Sequence, residues 1–190
     1  MKLIDTTHLD SIPAGRISER DFVVFGGTFD PIHQGHVTVI TRLLKRFGEV
    51  VVAPTPQNPW KDKQPTPIED RIEIIKAVLA YEQISVESRF DPIRPPPRPS
   101  VYIEQYPYIY SIELVRHLRG MSNRNFWWAV GSDSEDDVVK WREWTEHGAP
   151  VAVVPVEIDV HSERIRSGKQ PLHPAAAEIA KLHGWYKKDY

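Results

Sequence analysis

The chain contains no cysteine, so disulfides, thiolate nucleophiles and cysteine-ligated zinc are excluded at once. It has no apolar run approaching the roughly 20 residues that a membrane-crossing helix needs. It has no large charge excess of either sign. Lys and Arg number 24 against 26 Asp and Glu, a net of -2, which leaves out the basic footprint of a nucleic-acid binder. Residues 1–11 mix charged and polar side chains and lack the apolar core of a signal peptide. These absences predict a cytoplasmic protein with no nucleic-acid and no membrane partner. Eight histidines are present, but only His33 and His36 share close helical spacing, so no metal site is assigned. The 190 residues, 41% of them hydrophobic, suffice for one globular domain with a sizeable core. Oligomeric state leaves no mark in the sequence.

Short apolar runs alternate with longer amphipathic ones. Residues 1–20 show no period and are expected to be a loose lead-in, with the domain proper over 21–190. Strands are predicted at about 21–26, 49–53, 84–87, 126–130 and 150–155. Helices are predicted at about 35–47, then along Ile68, Ile72, Ile75 and Leu79, then along Tyr108, Ile112, Val115 and Leu118. A short helical region carries Val138, Trp141 and Trp144. Ser162 is placed as the cap of a helix through Arg166, and a last helix runs from Pro174 to Leu182, stopped by Gly184. Residues 88–107 stand apart. The prolines over 89–99 lack the donor that a helix or inner strand requires, so a polyproline-like surface loop with solvated arginines is expected. Strands alternating with helices imply an α/β fold. A doubly wound parallel sheet of about five strands, with helices on both faces, should bind ligands at its carboxyl ends.

Everything turns on Gly26-Gly27-Thr28-Phe29-Asp30-Pro31-Ile32-His33-Gln34-Gly35-His36, set between the first strand and the first helix. Paired glycines permit torsions closed to other residues and a close approach of ligand to main chain. Gly35 removes bulk between two histidines that share one face of the helical turn. Unpaired N–H groups at a helix start attract anions, and imidazoles beside them add donors for phosphate oxygens. The plain alternative is a strand–turn–helix corner with capping histidines, but so many special residues within eleven positions point to phosphate chemistry. Two later stretches fit the same cleft: Gly131-Ser132-Asp133 with Trp141 beyond it, and Val160-His161-Ser162-Glu163-Arg164-Ile165-Arg166. Taken alone, Asp133 reads as a helix cap and Trp141 as core. The last stretch aims a helix start, a hydroxyl and a guanidinium at an anion.

The eleven-residue motif resembles the nucleotidyltransferases with an HxGH signature, and most of all the bacterial nicotinate mononucleotide adenylyltransferases. Gly131-Ser132-Asp133 with Trp141 is similar to that family's Gly-x-Asp turn and following Trp. Ser162, Ile165 and Arg166 match its Ile-Ser-Ser-Thr-x-Ile-Arg, where His161 and Glu163 depart from it. Pro59-Trp60-Lys61 stands for Pro-His-Lys, and Tyr108-Ile109-Tyr110 for Tyr-Thr-Tyr. Resemblance runs from about residue 21 to the end, closing on Gly184-Trp185-Tyr186. It implies a Rossmann-like fold and transfer of AMP from ATP to nicotinate or nicotinamide mononucleotide in NAD biosynthesis, with Mg2+ arriving on ATP. The implied catalytic residues are His33, His36 and Arg166. ATP-binding roles fall to Gly26, Gly27, Thr28, Phe29, His33, His36, Gly131, Asp133, Ser162, Ile165 and Arg166. Mononucleotide-binding roles fall to Thr28, Trp60, Lys61, Arg71, Tyr108 and Trp141. Alternatives are a phosphopantetheine adenylyltransferase-like enzyme, a non-catalytic nucleotide-binding protein on the same fold, and, more remotely, an interaction module built on the proline loop.

Overall fold

The computed structural model describes residues 5–57, 64–141 and 143–186 of the chain. Its centre is three short strands, β2 (Phe22–Gly27), β3 (Glu49–Pro54) and β6 (Phe126–Gly131). β3 and β6 are buried along their whole length, and β2 over its first four residues, as apolar runs without polar alternation require of a sheet covered on both faces. Around them lie β1 (Thr6–His8), β4 (Val86–Glu87), β5 (Ser100–Ile103) and β7 (Val151–Val154). The seven strands run β1-β7-β6-β2-β3-β5-β4, every neighbouring pair parallel.

Alternate residues of each strand feed two cores. Val23, Phe25, Val50, Val52 and Trp127 face α1 (Gln34–Phe47), α2 (Ile68–Tyr81) and α6 (Pro174–His183). Phe22, Val24, Val51, Trp128 and Val130 face α3 (Ser111–Met121), the 3-10 segment Ser132–Lys140 and α4 (Trp144–His147). The expected doubly wound architecture is present. The chain winds outward from β2 to β3, then crosses back from β5 through α3 to β6 on the other side of β2. Ligand crevices open at such a switch point. Register puts Phe25 beside Ala129, so Gly26-Gly27 and Val130-Gly131 end level with each other.

The sheet has seven strands instead of about five, and both extra strands lie where none was expected. Residues 6–8, placed in the loose lead-in, pair with β7 as an edge strand, and Leu9 and Ile12 behind them are buried. Three residues are too short to show a period. β5 lies inside the stretch assigned to a surface loop, yet it is an inner strand between β3 and β4. The proline run stops at Pro99, and the ladder begins one residue later with the Ser100 amide on the Gly48 carbonyl at 3.0 Å. The expected strand at 84–87 shrinks to two residues at the far edge. α3 starts three residues later than Tyr108, because the Glu113 carboxylate accepts the amides of Ile109 and Tyr110 at 2.8 and 3.1 Å.

Residues 89–99 are irregular, as expected, and lie at the amino ends of the strands. Arg124, just before β6, holds them there. Its guanidinium donates to the carbonyls of Arg20, Asp91 and Arg94 and to Glu49 at 2.5 Å. Phe22 and Phe90 cover it at 5.0 and 5.7 Å. Both charged side chains are buried, 0% and 5% exposed. Removing one partner of such a pair leaves the other charge stranded. Arg124→Ala should cost about 3–5 kcal/mol of stability by urea unfolding, and Arg124→Ala with Glu49→Gln should recover part of that. A single variant within about 1 kcal/mol of wild type would contradict a clamp.

Candidate active site

The level ends of β2 and β6 open into a cleft of about 1440 Å3. That exceeds the roughly 300–1,000 Å3 of an ordinary small-molecule pocket and leaves room for two ligands. Its lining joins Gly26, Gly27, Thr28, Phe29, His33 and His36 to Gly131, Asp133 and Trp141, and to Ser162 and Arg166 near α5 (Ser162–Arg166). Three stretches, over 26–36, 131–141 and 162–166, thus meet.

The glycines at the end of β2 do not supply the special torsions expected of them. Neither Gly26 nor Gly27 has a positive φ. Gly26 is required because a Cβ there would lie 2.5 Å from the Trp128 ring and 3.2 Å from the Tyr108 hydroxyl. The left-handed residue of this loop is Phe29, at φ 48, whose buried ring packs edge-on against Phe25 at 5.4 Å and lies 4.9 Å from His36. Gly131 similarly makes way for the Asp133 carboxylate, which would come 2.5 Å from a Cβ.

His33 is the N-cap residue of α1, and its amide donates to His36 Nδ1 at 3.2 Å. That bond makes Nδ1 an acceptor and leaves the neutral ring's proton on Nε2. The two rings lie 3.8 Å apart, tilted by 32°. Gly35 permits this, since a Cβ there would sit 3.1 Å from the His33 ring. His33 is 9% exposed and its Nδ1 has no partner. Burial, then repulsion from the neighbouring His161, lowers its pKa to about 4. Burial, then His33, pushes His36 well below the usual histidine range. Both imidazoles are therefore neutral at pH 7, at the positive end of a 14-residue helix.

Arg166 is partly buried, donates to the Asp30 carbonyl, and sits 3.6 Å from the Asp30 carboxylate. Ser162 is the first residue of α5, not its cap, and its hydroxyl donates to the Pro31 carbonyl at 3.0 Å. Both residues tie α5 to the motif loop. Ile165 is buried beneath the helix and does not line the cleft. Trp141 lines the cleft and packs edge-on against Trp128 and Trp144 at 5.9 and 5.0 Å.

Two expected mononucleotide contacts lie outside the cleft. Arg71 is fully buried and donates to the carbonyls of Thr66, Thr28, Thr55 and Pro56. Its fork locks the motif loop to the loop after β3, leaving it little to offer a ligand. Tyr108 donates to the Ala53 carbonyl at 2.6 Å, and burial holds its hydroxyl protonated. Trp60 and Lys61 lie outside the described residues.

Several cleft residues had no role assigned from the sequence: Asp30, His161, Arg164, Lys140, Trp185 and Tyr186. Asp30 could have been found inside the motif itself. Lys140 pairs with Asp137 at 2.8 Å and Arg164 with Asp159 at 2.7 Å, while Glu163 borders the cleft exposed. These acids are paired or spread and do not form a cation cage. Away from the cleft, Asp70, Glu73 and His183 bring three potential ligand atoms within 4.8 Å. There the imidazole turns Nδ1 to Asp70 and Nε2 to Glu73, at 3.6 and 3.4 Å.

The family model for cytidylyltransferase-like proteins matches residues 24–181. A protein of Acidothermus cellulolyticus described as a probable nicotinate-nucleotide adenylyltransferase is 30% identical over 169 residues, 84% of this chain and 76% of its own. One of Roseobacter denitrificans with the same description is 29% identical over 128 residues, and the match spans 57% of its length, less than two thirds. The solved nicotinic acid mononucleotide adenylyltransferase of Plasmodium falciparum, complexed with NaAD, superposes with a TM-score of 0.65 over 87% of this chain and 97% of that one. At 15% identity, that likeness is one of fold. The motif, the switch-point cleft and these matches agree: the chain belongs to the cytidylyltransferase-like family, among the nicotinate-nucleotide adenylyltransferases it resembles in sequence.

Proposed function

We propose that the chain transfers AMP from ATP to a pyridine mononucleotide, giving the dinucleotide and pyrophosphate. The observation that carries this reading is the close His33–His36 ring pair at the start of α1, facing a cleft large enough for two nucleotides. An oxygen of the acceptor's 5′-phosphate attacks the α-phosphorus of ATP. The bond from that phosphorus to the α–β bridging oxygen breaks, and the electron pair leaves with pyrophosphate. The acceptor oxygen is already ionised, so no general base and no covalent intermediate are needed. Catalysis is positioning and charge stabilisation.

In this reading His36 Nε2–H and the His33 ring donate to the α- and β-phosphate oxygens, helped by the helix dipole. A bound polyanion opposes the lowering of both pKa values and so favours the protonated rings as charge develops. Arg166 serves the β/γ end. Gly26, Gly27 and Thr28 offer main chain against nucleotide and acceptor phosphate, with Phe29 holding the loop. Asp133 beside Gly131 suits ribose hydroxyls, and Trp141 offers a ring face to the pyridine. Ser162, Ile165, Arg71 and Tyr108 position these groups from behind. Mg2+ enters as part of the substrate, MgATP, because the cleft acids do not gather into a site of their own. The relatives' names favour nicotinate over nicotinamide mononucleotide as acceptor.

Pyrophosphate release from MgATP should appear with a pyridine mononucleotide, faster with the acid than the amide, and not with phosphopantetheine. A chain that binds ATP yet releases no pyrophosphate with either pyridine acceptor would overturn the reading. His36→Ala should lower kcat by about 10²–10³-fold, the usual cost of one preorganised donor, while the melting temperature moves by a few degrees at most. Turnover within about threefold of wild type would remove His36 from the reaction.

A further inference from the structure

Asp30 poses an electrostatic problem that the proposed reaction does not resolve. Its carboxylate is 5% exposed, in a loop that must receive a polyanion. An uncompensated buried carboxylate there would repel phosphate. Two groups contact it, and the buried Arg71 adds positive charge nearby. Arg166 lies 3.6 Å from Oδ2, and the Tyr186 hydroxyl donates to Oδ1 at 2.6 Å.

Tyr186 arrives from far along the chain by an enforced route. α6 ends at Gly184 with φ 71, and Tyr186 itself takes φ 55, a left-handed conformation that a side chain disfavours. Between them Trp185 is pinned by its Nε1, which donates to Asp70 in the first turn of α2 at 2.8 Å. The Tyr186 hydroxyl is also bonded by Thr66, and burial and Asp30 keep it protonated. It can therefore only donate to Asp30. The two partners differ in freedom: the tyrosine is fixed on both sides, whereas the Arg166 side chain is 24% exposed and lines the cleft.

We propose that Tyr186 is a positioning residue for ATP. It holds and partly neutralises the Asp30 carboxylate, so that Arg166 can leave Asp30 for the triphosphate. This rests on the adenylyltransferase reading for the identity of the polyanion. Without the hydroxyl, Asp30 loses its only uncharged donor and leans on Arg166, with Arg71 behind it as the other positive charge, so the Arg166 guanidinium stays on the carboxylate when nucleotide arrives. The chain Thr66–Tyr186–Asp30 links the loop before α2, the C-terminal segment and the motif, so nucleotide affinity responds to a residue that touches no phosphate.

The test is a double-mutant cycle on the full chain, with Tyr186→Phe, Asp30→Asn and the double variant. Calorimetry with Mg2+ and a non-hydrolysable ATP analogue gives affinity, and steady-state assays give KM for each substrate. Tyr186→Phe should weaken the analogue about fivefold, the worth of one good hydrogen bond, and raise KM for ATP in parallel. KM for the acceptor should stay unchanged. In the Asp30→Asn background the same substitution should have no further effect, because the carboxylate that retains Arg166 is gone. Unchanged affinity in Tyr186→Phe, an equal loss in both backgrounds, or a loss shared with the acceptor would each overturn the proposal. A wild-type chain that binds the analogue but makes no pyrophosphate would defeat the reaction and leave the cycle readable. One that does not bind the analogue would defeat both.

Discussion

Two imidazoles stacked 3.8 Å apart, walled by phenylalanines at the positive end of a helix, cannot both hold a proton while the cleft is empty. Burial removes the water that would stabilise an imidazolium, the helix dipole opposes it, and each ring opposes charge on the other. Keeping His33 neutral couples folding to pH. With the folded pKa of His33 near 4, below its ordinary value near 6.5, the unfolded chain binds more protons between those limits. Stability from this residue is complete above about pH 6.5 and is lost as the pH falls towards 4. In the proposed reaction the phosphate chain of the nucleotide supplies the counter-charge that the empty cleft lacks.

The rest of the fold fixes that pair in space with unusual use of arginine. Arg71 at the carboxyl ends of the strands and Arg124 at the amino ends are both buried, and both bind mostly main-chain carbonyls. Loops carry carbonyls that no ladder satisfies, and a planar fork with five donors can satisfy several at once. Arg71 sets the height of the motif loop against the loop after β3. Arg124 gathers the arginine- and proline-rich segment beneath the sheet, away from the cleft. Arg166 is the partly exposed counterpart, held on Asp30 but lining the cleft. Two of these guanidiniums are structural because they are sealed, and the third is available because it is not.

Much of this was legible in the residues. A run such as Phe126-Trp127-Trp128-Ala129-Val130 can only be a buried strand, and the motif between β2 and α1 carries its chemistry in eleven positions. Local signals failed where the determining partner was remote. β1 and β5 are three and four residues long and owe their structure to β7 and β3, not to their own period. Arg71 and Tyr108 sit near the cleft in sequence register, yet spacing does not tell which way a side chain turns or that carbonyls would claim it. Tyr186 and Asp30 are 156 residues apart, and nothing in either neighbourhood announces the other. Gly26 needs no special torsion; what excludes a side chain there is the crowding from Trp128, a hundred residues on.

The most direct measurement is a histidine-selective NMR titration of the chain, without nucleotide and then saturated with a non-hydrolysable MgATP analogue. A neutral pair predicts His33 unprotonated down to about pH 4 and His36 in the Nε2–H tautomer when the cleft is empty. It also predicts an upward shift of both titrations once nucleotide binds. Ordinary titration of either ring near pH 6.5 in the empty protein, or no response to the analogue, would contradict it.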